Sequence, residues 1–251
     1  MITWIGFIEI PYLSFLQIRP PRSMNFLSHY SLDPNPPHDL FTVGVAIPDI
    51  LSVAGRHLRL PWNALRKWKN DPLSPTPQDW IVSGLLRHEQ ADKWFHQSEF
   101  FDSERKLILP FLQQIIPQNP NTRYFFITHI AVELWLDRVL LMENATLADQ
   151  FYQRLQLYTG EAIEDWLASI TGKEYSPFSP TFDRFTQHTY LYRYAENDGF
   201  LEAFHRTLRR VGLNDLEGVS PNTFIDVFQP YQEGLVHRFH QWKNEINLQD
   251  E

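Results

Sequence analysis

The sequence predicts an all-α protein, folded as one domain of eight to ten helices. Three observations carry this. Apolar residues recur at spacings of three and four along most of the chain. No stretch of useful length alternates with the period of two that a half-buried strand requires. Proline and capping residues interrupt the apolar runs where helices would start and stop.

The elements follow in order. Residues 39–53 read as a helix, with Leu40, Val43, Ile47, Ile50 and Leu51 on one side and a kink expected at Pro48, beside Asp49. Residues 54–77 hold Pro61, Pro72, Pro75 and Pro77 and read as a long connection with one short helix. Pro77-Gln78-Asp79 opens a helix to about Phe95, whose apolar side carries Ile81, Leu85, Leu86 and Trp94. A further helix runs from Ser103 to Ile116 and is closed by Pro117 and Pro120. Residues 122–142 form the most apolar stretch and are expected to be the central helix. Residues 146–170 supply one or two helices, and 182–194 with 199–211 a helix pair. Ser220-Pro221 places a cap and a first-turn proline before a terminal helix that reaches about Ile246.

Residues 1–23 stand apart. Ile2 to Ile18 is apolar but contains Glu9, Pro11 and Gln17, and Arg19 and Arg22 follow the apolar run, whereas a secretory signal carries its basic residues first. A membrane span needs about twenty uninterrupted apolar residues. Residues 1–23 are therefore read as an N-terminal extension ahead of a start at Met24, with 24–251 as the helical domain. A segment that docks on the domain or on a membrane surface is the alternative.

Hydrophobic residues make up 43% of the chain and aromatics 15%, enough for a large core packed with rings. With no cysteine there can be no disulfide, thiolate metal site or cysteine nucleophile. A reducing compartment fits, and a cytoplasmic location is expected. A net charge of −8 argues against nucleic acid as a partner. The chain has no G-x-x-x-x-G-K-[ST] loop, G-x-G-x-x-G turn, G-x-S-x-G elbow or H-E-x-x-H pair.

The chemistry-bearing residues are imidazoles and carboxylates set in apolar stretches, where a charged group is costly without a partner. They are His29, Asp49, His88 with Asp92, and His129 with Glu133 and Asp137. His88 and Asp92 are four apart, as are His129 and Glu133, so each pair projects from one helical face and can grip one ion. Such pairs also serve as ordinary helix-surface ion pairs. Asp137 lies about 12 Å along the axis from His129, too far to share an ion with it, and is read as a supporting, salt-bridge or substrate contact. Gathered together, these residues would make a nitrogen–oxygen site for a divalent metal, a set that suits Mn, Fe, Zn or Mg and does not itself choose among them; Mn is the ion expected. His237 and His240 on the terminal helix are read as surface residues.

The opening Met24-Asn25-Phe26-Leu27-Ser28-His29 resembles the Met-Asn-Phe-Leu-Ala-His start of acyl carrier protein phosphodiesterases, a branch of the HD-like metal phosphohydrolases. The stretch Val43 to Asp49 falls where that family has Gly-Asn-Leu-Leu-x-Asp-Phe. Gly84 to Asp92 is similar to its Gly-Ile-x-x-His-Arg-x-Ile-Asp element, which matches His88 and Asp92. Leu191-Tyr192-Arg193-Tyr194 is similar to a Leu-x-Arg-Tyr segment near its C-terminus. The central helix departs from the family: Glu133 keeps an acidic residue, but Leu134 stands where a His would follow. The resemblance implies a single HD-like helical domain and a metal-dependent phosphodiesterase that releases phosphopantetheine from holo acyl carrier protein. It implies His29, Asp49, His88, Asp92, His129 and Glu133 around the metal, with Asp49, Asp92 or Glu133 as general base. Arg87, Asp137 and Arg193 are the candidate substrate contacts. A phosphohydrolase of small phosphate esters and a non-catalytic helical scaffold with a decayed site are the competing readings.

An acyl carrier protein is acidic, and a chain of net charge −8 needs a segregated basic surface to receive it. Between Ile50 and Asn70 the sequence holds Arg56, His57, Arg59, Arg66, Lys67 and Lys69 and no acidic residue; Arg206, Arg209 and Arg210 form a second cluster.

Overall fold

The computed structural model describes residues 25–55, 57–68, 73–116, 122–210, 212–213 and 218–247. The extension at 1–23 lies outside them. Among the described residues the protein is all-α, as the periodicity predicts, with ten α-helices of seven or more residues. In order they are α1 (Phe26–Leu32), α2 (Asp39–Ala54), the one-turn α3 (Trp62–Leu65), α4 (Pro77–Gln97), α5 (Glu99–Ile115), α6 (Tyr124–Glu143), α7 (Ala145–Leu155), α8 (Gly160–Thr171), α9 (Phe178–Gln187), a 3-10 turn (Tyr190–Ala195), α10 (Asn197–Arg210) and α11 (Pro221–Asn247).

Local chemistry explains the boundaries. The Thr76 hydroxyl accepts from Asp79 N while the Asp79 carboxylate accepts from Thr76 N, a capping box that starts α4 ahead of Pro77. Ser98 ends α4 and caps α5, its hydroxyl accepting from Phe101 N, so α5 begins four residues earlier than the sequence pattern suggests. The helix expected over 182–194 is divided: α9 stops at Gln187, and Thr189 takes a left-handed φ of 42° before the 3-10 turn. The interval 146–170 is two helices, separated where Thr159 caps α8.

Helix α6 is central, with every residue from Ile127 to Leu141 buried. It packs against α1, α5, α7, α10, α11 and the 3-10 turn. Trp135 lies at its middle against Phe200, Phe224 and Phe228. The buried Arg138 anchors the 3-10 turn to α6 through the carbonyls of Tyr194 and Glu196 and the Asn197 side chain. Glu104, 1% exposed, takes a two-pronged bond from Arg238 and ties α5 to α11.

Helices α2 and α4 cross backbone against backbone. A Cβ on Gly44 would lie 2.3 Å from the Ile81 carbonyl oxygen, and one on Gly84 only 2.1 Å from that of Phe41. Only glycine permits such an approach, and it sets the spacing of the site residues one turn beyond each glycine.

Candidate metal centre

Four helices deliver the site. His29 comes from α1, Asp49 from α2, His88, Asp92 and His96 from α4, and His129, Glu133 and Asp137 from α6. On α4 and on α6 these residues recur every fourth position, so each helix carries a polar stripe, and the stripes meet where His96 Nε2 lies 3.1 Å from Glu133 Oε1.

The ligand atoms gather into two adjoining sets, which corrects the expectation of one common point. In the first set, donor atoms of His29, Asp49 and His88 lie within 4.8 Å of one another. Asp92 is beside them, with Oδ1 3.3 Å from His29 Nε2 and Oδ2 3.5 Å from His88 Nε2. In the second, donor atoms of His96, His129 and Glu133 lie equally close. His129 Nε2 is 2.9 Å from Glu133 Oε1. Sequence reasoning missed His96. The signal was there, as the third member of the series His88, Asp92, His96. It brings to Glu133 an imidazole from α4, while Leu134 is in the core.

The surroundings of the first set orient its nitrogens. His88 Nδ1 is 2.8 Å from the Val45 carbonyl, next to the point in α2 where Pro48 has no N–H to give to Gly44. With Nδ1 carrying the proton, Nε2 presents its lone pair to the set. The His29 and His88 rings stack with centroids 4.0 Å apart. Burial opposes a charge on His29, but the Asp49 and Asp92 carboxylates outweigh it and its pKa is pushed up to about 10. Burial pushes Asp49 up, only partly offset by His88 and His29; Asp92 is also buried, yet His88 and His29 hold it far below the usual carboxylate range. Asp92, His96 and Glu133 retain 12%, 17% and 10% side-chain exposure, more than the other members of the two sets.

Asp137 has a different place from the rest of its stripe. Its Oδ1 accepts from Ser28 N at 2.8 Å and its Oδ2 from Leu27 N at 3.2 Å, so it caps the first turn of α1 from across the core. Burial pushes its pKa up to about 7. It thus holds the helix that carries His29. Arg87 reaches Asp33, at the end of α1, through Nε at 2.6 Å and lies over Trp94. Arg193 is on the 3-10 turn, 45% exposed, and pairs with Glu202. His240 pairs with Glu143 on the surface. Of the basic run, Arg59, Arg66 and Lys67 are exposed, and Arg66 is held by Glu89; Arg56 and Lys69 lie outside the described residues.

The donor set fits a divalent cation. His29 Nε2, Asp49 Oδ2 and His129 Nε2 are buried without a hydrogen-bond partner, although each has an oppositely chargeable atom close by in poor alignment. Two nitrogen and two carboxylate donors suit Mn, Fe, Zn or Mg. Searches against protein families, curated proteins and solved structures find no match to this chain. Among the described residues no helix is long and apolar enough to cross a membrane.

Proposed function

We propose that this protein is a divalent-metal-dependent hydrolase of phosphodiesters. One observation supports it above the others: His29 Nε2 and Asp49 Oδ2, in a set completed by His88 and Asp92, are sealed from water and lack hydrogen-bond partners. An unsatisfied buried polar atom costs about 1–3 kcal/mol, and a bound cation removes that cost. When bound, the ion polarises a phosphoryl oxygen and lowers the pKa of water. His29 and His88 contribute neutral nitrogens, and Asp49 and Asp92 the compensating negative charge. Asp92 and Glu133 are the two carboxylates that reach the more exposed edge, where one of them takes the proton as general base.

The specific form of the reading is release of phosphopantetheine from an acyl carrier protein, which rests on the resemblance in residues 24–29 and 84–92. Arg59 and Lys67 then receive the acidic carrier, beside Arg66 in its pair with Glu89. The low exposure of the cluster favours a second reading, a helical scaffold in which the ion serves only the fold.

The test is to strip the purified protein of metal, reload it with Mn and assay it on holo acyl carrier protein and bis(p-nitrophenyl) phosphate. Manganese-dependent cleavage that falls about 100-fold or more in Asp92→Asn is expected. Metal-loaded protein inert on both substrates sinks the enzyme reading and leaves the scaffold. Cleavage of the small diester alone rejects the carrier-protein form.

A further inference from the structure

We propose that the protein holds a second divalent cation beside the first, bound by His96, His129 and Glu133. Three features of that set point to a cation and not to a plain hydrogen-bonded cluster. First, the Glu133 Oε1 atom is approached by two imidazole nitrogens at once, His129 Nε2 at 2.9 Å and His96 Nε2 at 3.1 Å. Of these, His129 Nε2 is out of hydrogen-bond alignment and has no other partner, though His129 is 4% exposed. His96 Nε2 already bonds that oxygen, which leaves the buried His129 Nε2 as the ligand atom that a cation between the three groups would satisfy.

Second, the two rings are fixed for this purpose. They stack with centroids 4.7 Å apart and planes 12° from parallel, and the Nε2 atom of each approaches the same Glu133 oxygen. The Phe101 ring meets both edge-on, at 4.9 and 5.0 Å. His96 Nδ1 is 2.8 Å from the Asp92 backbone carbonyl, so that nitrogen carries the proton and Nε2 is left to donate its lone pair.

Third, the set adjoins the first one. Asp92 lies between them: Oδ1 is 3.3 Å from His29 Nε2 and 4.0 Å from His96 Nδ1. Charge supports the pairing as well. Two divalent ions bring four positive charges against the carboxylates of Asp49, Asp92 and Glu133, leaving one positive charge, which a single phosphodiester anion neutralises. Two adjoining ions can stabilise both the attacking and the leaving oxygen of a displacement.

This assignment shares the first ion with the proposed function but not its substrate, and it is tested without any substrate. The full chain is stripped, dialysed against MnCl2, and its metal counted by elemental analysis, with the manganese electron paramagnetic resonance spectrum recorded. Two ions per chain and an exchange-coupled spectrum are expected. His96→Ala and the milder His129→Gln should each bind one ion and give an uncoupled spectrum, with the circular dichroism of the wild type as the folding check. One ion per chain in the wild type, or two in both variants, overturns the second site. Two ions with no hydrolysis of any diester leaves the second site standing and removes the enzyme reading. Hydrolysis with a single ion does the reverse.

Discussion

At the scale of single residues, the site depends on side chains that hold its ligands as well as on the ligands. Asp137 bonds two amides of α1, so Asp137→Ala strands two buried donors. At about 1–3 kcal/mol each, the loss in urea denaturation should be about 2–6 kcal/mol, and Asp137→Asn, which keeps one acceptor, should lose less. Because α1 carries His29, both variants should also bind manganese more weakly. His29 sets a pH dependence in metal-free protein. Its folded pKa is raised from 6.5 to about 10 by Asp49 and Asp92 against the opposing effect of burial. Its stabilisation is therefore fully present below pH 6.5 and is lost as pH rises through 10. The melting temperature of metal-free protein should fall between pH 7 and pH 10, and His29→Gln should flatten that fall. In the same window metal displaces the proton more easily, so manganese affinity should rise with pH.

At the scale of elements, the crossing of α2 and α4 is the feature most open to attack. A methyl group on Gly84 would meet the Phe41 carbonyl, which is backbone and cannot rotate away, so the helices must part. Overpacking typically costs about 1–3 kcal/mol, and Gly84→Ala should reach the upper end. It should also separate Asp49 from His88 and weaken manganese binding, measured by isothermal titration, where a surface change such as Lys93→Ala does neither. Much at this scale was legible in sequence. The terminal proline and cap signals placed α4 and α11, and the fourfold spacing put His88 with Asp92 and His129 with Glu133 on shared faces. The division of the site into two sets was not legible, since it depends on how far apart α4 and α6 lie, and periodicity within one helix says nothing of that. The role of Asp137 was hidden for a related reason: its partners are 109 and 110 residues away in sequence. The early start of α5 was missed because Ser98 serves two helices at once.

At the scale of the molecule, a ligand that binds only the folded protein stabilises it by mass action. At free manganese one hundred times the dissociation constant this is worth about 2.7 kcal/mol per site. For a chain of this size that should raise the melting temperature by about 5–10 °C, checked by calorimetry with and without chelator. The charge balance is also a property of the whole: −8 overall, with the buried carboxylates of the two sets gathered among α1, α2, α4 and α6. Under the proposed carrier-protein reading, the exposed Arg59 and Lys67 between α2 and α4 would meet the acidic partner.

The bond from Asp137 to α1 also fixes when the site can come into being. A helix of seven residues does not persist on its own, and α1 is held by a carboxylate that is made more than a hundred residues later. During synthesis Phe26 to His29 emerge long before the donors of His129 and Glu133 and the carboxylate of Asp137. The nascent chain therefore has no assembled pocket with which to capture an ion until α6 has left the ribosome and docked. On the proposed reading, acquisition of metal would follow the folding of the core, and a metal-loaded molecule would be one whose central helix is already in place.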